Sequence, residues 1–131
     1  MAQLNSKDLA TLPVGRLGLI PLESCHDLGE KVNEWLVKWR KERTHEAFDS
    51  VAFEGYKRDS YTIKASNPRF GSGEAKCIIS ESVRGDDVYL MVDVCNYSMT
   101  YRMGQYTNLM SPDDHFQDLK RVIAAIGGKA R

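Results

Sequence analysis

Apolar side chains recur along this chain with two different periods, and the changes from one to the other mark its elements. Leu17 to Leu22 is a short apolar run containing Pro21. Proline has no backbone N–H to give to a ladder, so the run reads as a buried strand that closes there. Leu28, Val32, Trp35, Leu36 and Trp39 then recur at offsets of 4, 7, 8 and 11, which places them on one face of a helix. Ser24 and Asp27 form an S-x-x-D start of the capping-box kind. Glu30, Lys31, Glu34 and Lys38 fall on the wet face, with Glu34 four residues before Lys38 in the favourable pairing order.

Arg40 to Ser60 keeps neither period for long, and a second short helix there is one reading. Tyr61, Ile63 and Ala65 alternate with Thr62, Lys64 and Ser66, the signature of a half-buried strand, which Asn67-Pro68 then punctuates. Ala75 to Glu81 alternates less cleanly. Asp87 to Cys95 is almost continuously apolar, as expected of a central strand covered on both faces. Ser111-Pro112-Asp113-Asp114 opens a last helix, with a proline and two acids where a helix start tolerates them best. Its predicted buried stripe is Phe116, Leu119, Val122, Ile123 and Ile126, and Gly127-Gly128 ends it. The connection from Asn96 to Met110 is long for a strand-to-helix crossover and carries Tyr97, Tyr101, Tyr106, Met99, Met103 and Met110. Its rings either fold back on the sheet or serve an interface.

Strand, helix, strand pair, strand, helix is a βαβ-type progression, and it points to an α/β fold of three layers with a mostly parallel sheet. In this reading Leu17–Leu22 and Asp87–Cys95 are inner strands, Tyr61–Glu81 supplies an antiparallel pair or flap, and both helices cover the sheet. Residues 1–16, with Pro13, Gly15 and no period, form a lead-in or loosely docked arm, and residues 17–131 form the folded part.

Composition narrows the partners. At 131 residues the chain fits one domain. Lys+Arg and Asp+Glu both total 18, so no long-range field gathers nucleic acid or an anionic membrane. Residues 1–12 mix polar and apolar positions without the apolar core of a secretory signal, and no run is long enough to span a bilayer. Cys25, Cys77 and Cys95 are odd in number and widely spaced, which reads as reduced core thiols in a cytoplasmic protein. The three histidines and the scattered acids show no metal-ligand spacing, and the neighbours Cys25 and His26 have no orienting partner with a thiol-hydrolase signature.

The candidate chemistry lies in Phe70 to Tyr89. In Phe70-Gly71-Ser72-Gly73-Glu74, glycines around a serine let the backbone turn tightly and approach a ligand. Phe70 offers a flat face for stacking, and Glu74 can accept from an exocyclic amine, a set that suits a purine. The same residues also make an ordinary polar turn between strands. Neither the P-loop nor the Rossmann glycine pattern occurs, so phosphate binding by this loop is not indicated. Glu81-Ser82-Val83-Arg84-Gly85-Asp86-Asp87 is a charged turn in which Gly85 supplies positive φ and Asp86 or Asp87 folds back on backbone amides.

These segments resemble the N-terminal half-domain of ribose-phosphate diphosphokinases, the enzymes that make phosphoribosyl pyrophosphate. That family carries F-S-N-G-E or F-S-D-G-E, then a strand, then E-S-V-R-G-x-D-V-Y and an apolar strand, in the order found here. The likeness is closest over Phe70–Cys95, fainter over Leu17–Leu28, and intermediate over Asp113–Ala130, where Asp113-Asp114-His115-Phe116 is similar to the family's N-E-H-I helix start. Residues 29–69 and 96–112 diverge.

The resemblance implies a phosphoribosyltransferase-like half-domain, apparently truncated, whose Phe70, Ser72 and Glu74 hold the adenine of ATP in a neighbouring subunit's site. Phe70 would stack on the base and Glu74 take its amine, whereas Ser72 stands where the family has Asn or Asp and Gly71 where it has Ser. Arg84 would bind phosphate at a regulatory site between subunits. The implied reaction transfers the diphosphoryl group of Mg-ATP to ribose 5-phosphate. The Mg²⁺ is not held by this chain, the catalytic residues lie outside it, and a homo-oligomer is the implied assembly. The competing reading is a non-catalytic, diphosphokinase-like regulatory or interaction module.

Overall fold

The computed structural model describes residues 15–43 and 58–130. The irregular stretch predicted between Arg40 and Ser60 falls mostly outside these residues, as do residues 1–14 of the lead-in arm. The first strand, β1 (Leu17–Pro21), ends at its proline as expected, and its middle residues are buried. A 3-10 turn (Glu23–Cys25) leads into helix α1 (His26–Arg43). Four further strands are β2 (Ala65–Ser66), β3 (Ile78–Ile79), β4 (Asp87–Met91) and β5 (Thr100–Met103); β6 (Tyr106–Leu109) and helix α2 (Pro112–Ile126) complete the fold. The result is a mixed α/β fold: among the described residues β1 runs parallel both to β4 and to the segment at Thr62, while β2–β3 and β5–β6 form antiparallel pairs.

β1 and β4 run parallel, with Leu19 opposite Tyr89. On its other edge β1 meets the segment before β2: Leu19 N–H donates to the Tyr61 carbonyl at 2.8 Å, and Ile63 N–H donates to the Leu19 carbonyl at 2.7 Å. β1 is therefore the strand flanked on both sides, and β4 lies at an edge among the described residues. This corrects the expectation for Asp87–Cys95. Tyr89 is 62% exposed, so β4 is not covered on both faces either. Its unbroken apolar run could not reveal which face lacks a neighbour.

The alternation of Tyr61–Ser66 is realised as read. Tyr61 and Ile63 are buried while Lys64 and Ser66 face outward. The core gathers Ile20, Leu22, Ile63, Val83 and Val122, with Cys77, Ile79, Leu90, Leu119 and Ile126 packed against it. Successive residues of β1 serve different neighbours, because side chains alternate across a strand. Ile20 joins Val122 of α2 in this core, whereas Pro21 lies so close under Gly29 of α1 that a Cβ there would stand 2.4 Å from the proline Cβ.

The predicted faces of both helices are realised in part, with Leu119, Val122 and Ile126 of α2 turned to the core. On α1, Leu28, Trp35 and Trp39 are half exposed or more while Val32 and Leu36 are partly buried; Gly29 is buried, and the Asn33 side-chain oxygen accepts from Tyr61 N–H at 2.7 Å. On α2 the buried residues are His115, Asp118 and Val122, while Phe116 and Ile123 are about half exposed. Hydropathy located the apolar stripes, but close approach of backbone at Gly29 and buried polar partners on α2 decided how far each helix is turned about its axis.

Local signals fared unevenly at the helix ends. Ser24 does not cap α1: it is buried, and its Oγ accepts from Asp93 N–H at 3.2 Å. Lys38 lies over the Trp35 ring at 4.5 Å and reaches Glu42, rather than Glu34, at 4.0 Å. At α2, Ser111 and Asp114 form a complete capping box, and Gly127 ends the helix at φ 63°. The predicted long connection before α2 is instead largely the β5–β6 hairpin, with Gly104 at φ 61° in its turn. Cys95 is exposed, which corrects its reading as a core thiol; Cys25 and Cys77 are half-buried, and burial pushes both thiols up from their ordinary range. No helix among the described residues is long and apolar enough to cross a membrane.

Candidate functional site

The Phe70–Glu74 loop is the tip of an antiparallel ribbon. Its stem is β2 against β3, extended by hydrogen bonds from Ser80 N–H to the Lys64 carbonyl (2.9 Å) and from Lys76 N–H to the Pro68 carbonyl (3.1 Å). At the tip, Phe70 N–H donates to the Glu74 carbonyl at 2.7 Å and Gly73 N–H donates to the Phe70 carbonyl at 2.9 Å. Gly73 sits at φ 90°, a conformation costly for any residue with a Cβ, so the second glycine is required by the turn itself.

Phe70, Ser72 and Glu74 are all exposed at this tip, with 51% of Phe70 open to solvent. The Lys76 ammonium stands 6.0 Å from the Phe70 ring. A flat aromatic face near a cation is thus presented outward rather than spent on the core, on a tip that also exposes Glu74.

Arg69, which sequence reasoning passed over, is what ties this tip to the body. Its guanidinium donates to the Gly73 carbonyl at 3.0 Å and to the Asp118 carboxylate at 3.0 Å, and it lies over the Tyr101 ring at 4.3 Å. Asp118 is buried, and its other oxygen accepts from Arg121 at 3.0 Å. The available signal was alternation: Arg69 precedes an outward Phe70 in an extended segment, so its own side chain must point inward.

Beside this junction lies a cavity of about 340 Å³. It opens at the carboxyl end of β1 and is lined by Glu23, Ser24, Arg69, Tyr101, His115 and Asp118 among others. His115 is almost wholly buried. Its Nε2–H donates to the Asn96 carbonyl at 2.9 Å, and the Asn96 amide donates in turn to the Ser24 carbonyl at 3.0 Å. His115 therefore fastens α2 to the loop after β4.

Arg84 lies elsewhere, in the exposed turn after β3. No carboxylate among the described residues is within ion-pair distance of its side chain. Gly85 takes φ 77° as expected and donates its N–H to the Lys129 carbonyl at 2.8 Å. Asp86 does not fold back on amides through its side chain. It is buried and gripped by Arg16, whose Nε and Nη2 reach its two oxygens at 2.9 and 3.0 Å. Arg84 and the Phe70–Glu74 tip are thus separate features, and no three His, Cys, Asp or Glu side chains among the described residues could together hold a metal ion.

A family model described as the N-terminal domain of ribose phosphate pyrophosphokinase covers residues 17–130. No curated protein and no solved structure matches the chain.

Proposed function

Because the chain belongs to the family of ribose phosphate pyrophosphokinase N-terminal domains, we propose that it forms part of an enzyme that transfers the diphosphoryl group of Mg-ATP to the 1-hydroxyl of ribose 5-phosphate, giving phosphoribosyl pyrophosphate and AMP. Its share is recognition of adenine by Phe70, Ser72 and Glu74, together with subunit surface in a homo-oligomer. One observation carries this reading: the ribbon tip turns Phe70 and Glu74 outward on a loop whose backbone is fixed by its own hydrogen bonds. A preorganised aromatic face loses little freedom when a base stacks on it.

Such a transfer depends mainly on in-line positioning and on neutralising the phosphate charge. The Mg²⁺ is read as part of the Mg-ATP substrate. Arg84, exposed and cationic, is assigned to a phosphate of a regulatory ligand between subunits. Ser72 is shorter than the Asn or Asp of the resembling motif, so it reaches less far toward the base edge.

ATP titration tests the assignment. Binding to the full chain is expected to weaken by about tenfold or more in Phe70→Ala, the scale of base–aromatic stacking, and to weaken in Glu74→Gln. Equal affinity in wild type and Phe70→Ala would remove the adenine reading. The chain by itself is expected to form no phosphoribosyl pyrophosphate from ATP and ribose 5-phosphate, and product formation would overturn that division of labour.

A second reading, a non-catalytic interaction module, is favoured by the β5–β6 hairpin. Tyr106 and Leu109 on its second strand and Tyr97 before it are roughly 70% exposed. Co-purification of the chain with catalytically complete subunits, in the absence of any ATP affinity of its own, would support this reading over the first.

A further inference from the structure

We propose that Arg69 is a positioning residue for the Phe70–Glu74 tip, and that the β5–β6 hairpin holds it in place, so that recognition of the base is coupled to the state of the hairpin. The proposal rests on the reading of the tip as a base-binding loop.

The geometry supports it in three steps. Arg69 is bonded to the tip it precedes, through the Gly73 carbonyl, and to α2, through Asp118. The side chains of Arg69 and Asp118 are only 10% and 11% exposed, so their charges meet largely out of water, where a mispaired guanidinium is costly and the paired geometry is narrowly defined. The carboxylate cannot swing away freely either, since Arg121 occupies its second oxygen.

The other side of the tip rests on β5. A Cβ added to Gly73 would stand 3.2 Å from the Met103 sulfur and 3.8 Å from the Tyr101 ring. Tyr101 and Met103 are two residues apart and share a face of their strand, and Tyr101 also carries the Arg69 guanidinium on its ring. The tip is therefore held between a mostly covered arginine side chain and one face of the hairpin.

Finally, Arg69 and Phe70 are neighbours in extended chain, so fixing the first inward directs the second outward. Loss of the arginine's fork frees the ribbon to twist, and Phe70 loses the orientation in which a base could stack on it.

The test uses the full chain and two measurements on each variant: amide hydrogen exchange at Phe70, Gly73 and Ile63, and ATP titration. Ile63, hydrogen-bonded to β1, reports the fold at large. Arg69→Lys keeps the charge but not the planar fork. It is expected to speed exchange at Phe70 and Gly73 by about tenfold or more relative to Ile63, the scale of one charge-assisted hydrogen bond, and to weaken ATP binding. Tyr101→Leu is expected to act in the same direction, while Tyr101→Phe, which preserves the ring face, retains wild-type behaviour in both measurements. The proposal is overturned if exchange at Phe70 and Gly73 stays unchanged in both Arg69→Lys and Tyr101→Leu, or if Ile63 accelerates equally, which would make the role one of general stability. ATP affinity that is the same in wild type and Phe70→Ala would instead remove the base-binding reading and the coupling to recognition, while the exchange pattern separately upholds or overturns the holding of the tip.

Discussion

Arg16 and Asp86, 70 residues apart, meet in a two-pronged ion pair with Nε–Oδ1 at 2.9 Å and Nη2–Oδ2 at 3.0 Å. The side chain of Asp86 is 4% exposed, whereas that of Arg16 is about half open to water. The hydrogen bonds to Asp86, with its charge, raise the guanidinium above its already high ordinary range. The pair fastens the last residue of the lead-in arm, read from sequence as loosely docked, to the turn that carries Arg84.

Arg16→Ala is expected to leave a buried carboxylate without its counter-charge and to cost about 1–2 kcal/mol, the lower part of the range for charged hydrogen bonds because the arginine is half exposed. The urea midpoint checks it. An unchanged midpoint would mean that water replaces the guanidinium without penalty.

Gly29→Ala should behave against helix propensity. Alanine in a helix interior is ordinarily favoured over glycine by about 1 kcal/mol. Here the added Cβ would stand 2.4 Å from the Cβ of Pro21, and a proline ring has little room to yield. A net destabilisation of about 1–3 kcal/mol from overpacking is expected, and thermal melting of the variant above the wild type would contradict it.

The two glycines of the tip should respond differently. Gly73→Ala must adopt φ near 90° and crowd Met103, so a cost of about 1–2 kcal/mol is expected. Gly71 has open space around its added Cβ, and Gly71→Ala should fall within about 0.5 kcal/mol of wild type. Parallel denaturant curves decide the contrast.

Asp114 gives a pH-dependent prediction. Burial alone would raise its carboxyl, but hydrogen bonds from the Ser111 backbone and hydroxyl, aided by Arg69 and His115, outweigh this and hold it below the ordinary carboxylate range. A folded pKa below the unfolded one means that the unfolded chain binds more protons in acid. The stabilisation is therefore fully present above the ordinary carboxylate range and is lost as pH falls through the lowered folded value. Asp114→Asn should cost about 1 kcal/mol at neutral pH, with the gap to wild type closing in acid. A pH-independent gap would rule out the charged cap as its source.

Reading the chain residue by residue recovered what is local. β1 up to Pro21, the alternation of Tyr61–Ser66, the opening of α2 at Ser111-Pro112-Asp113-Asp114 and its end at Gly127, and the positive φ at Gly85 follow from backbone stereochemistry and neighbours within a few positions. The family was legible for a similar reason, since its motifs in Phe70–Tyr89 are contiguous in sequence. Arg69 and Tyr101 escaped notice because neither stands in an unusual pattern, and each acquires its role only from the other.

The amino-acid order by itself thus determined where β1, the Gly85 turn and α2 fall, and which family the chain joins, but not the β5–β6 hairpin or the start of α1. Only the folded molecule decided how far each helix is turned about its axis. Hydropathy marks stripes on α1 and α2, but orientation depends on shape and on partners distant in sequence: the missing Cβ of Gly29 lets Pro21 approach, and Arg69 makes it favourable to bury Asp118 instead of Phe116. A helix turns inward the side that packs most closely with its polar groups satisfied, and that choice is made across the fold rather than along the chain.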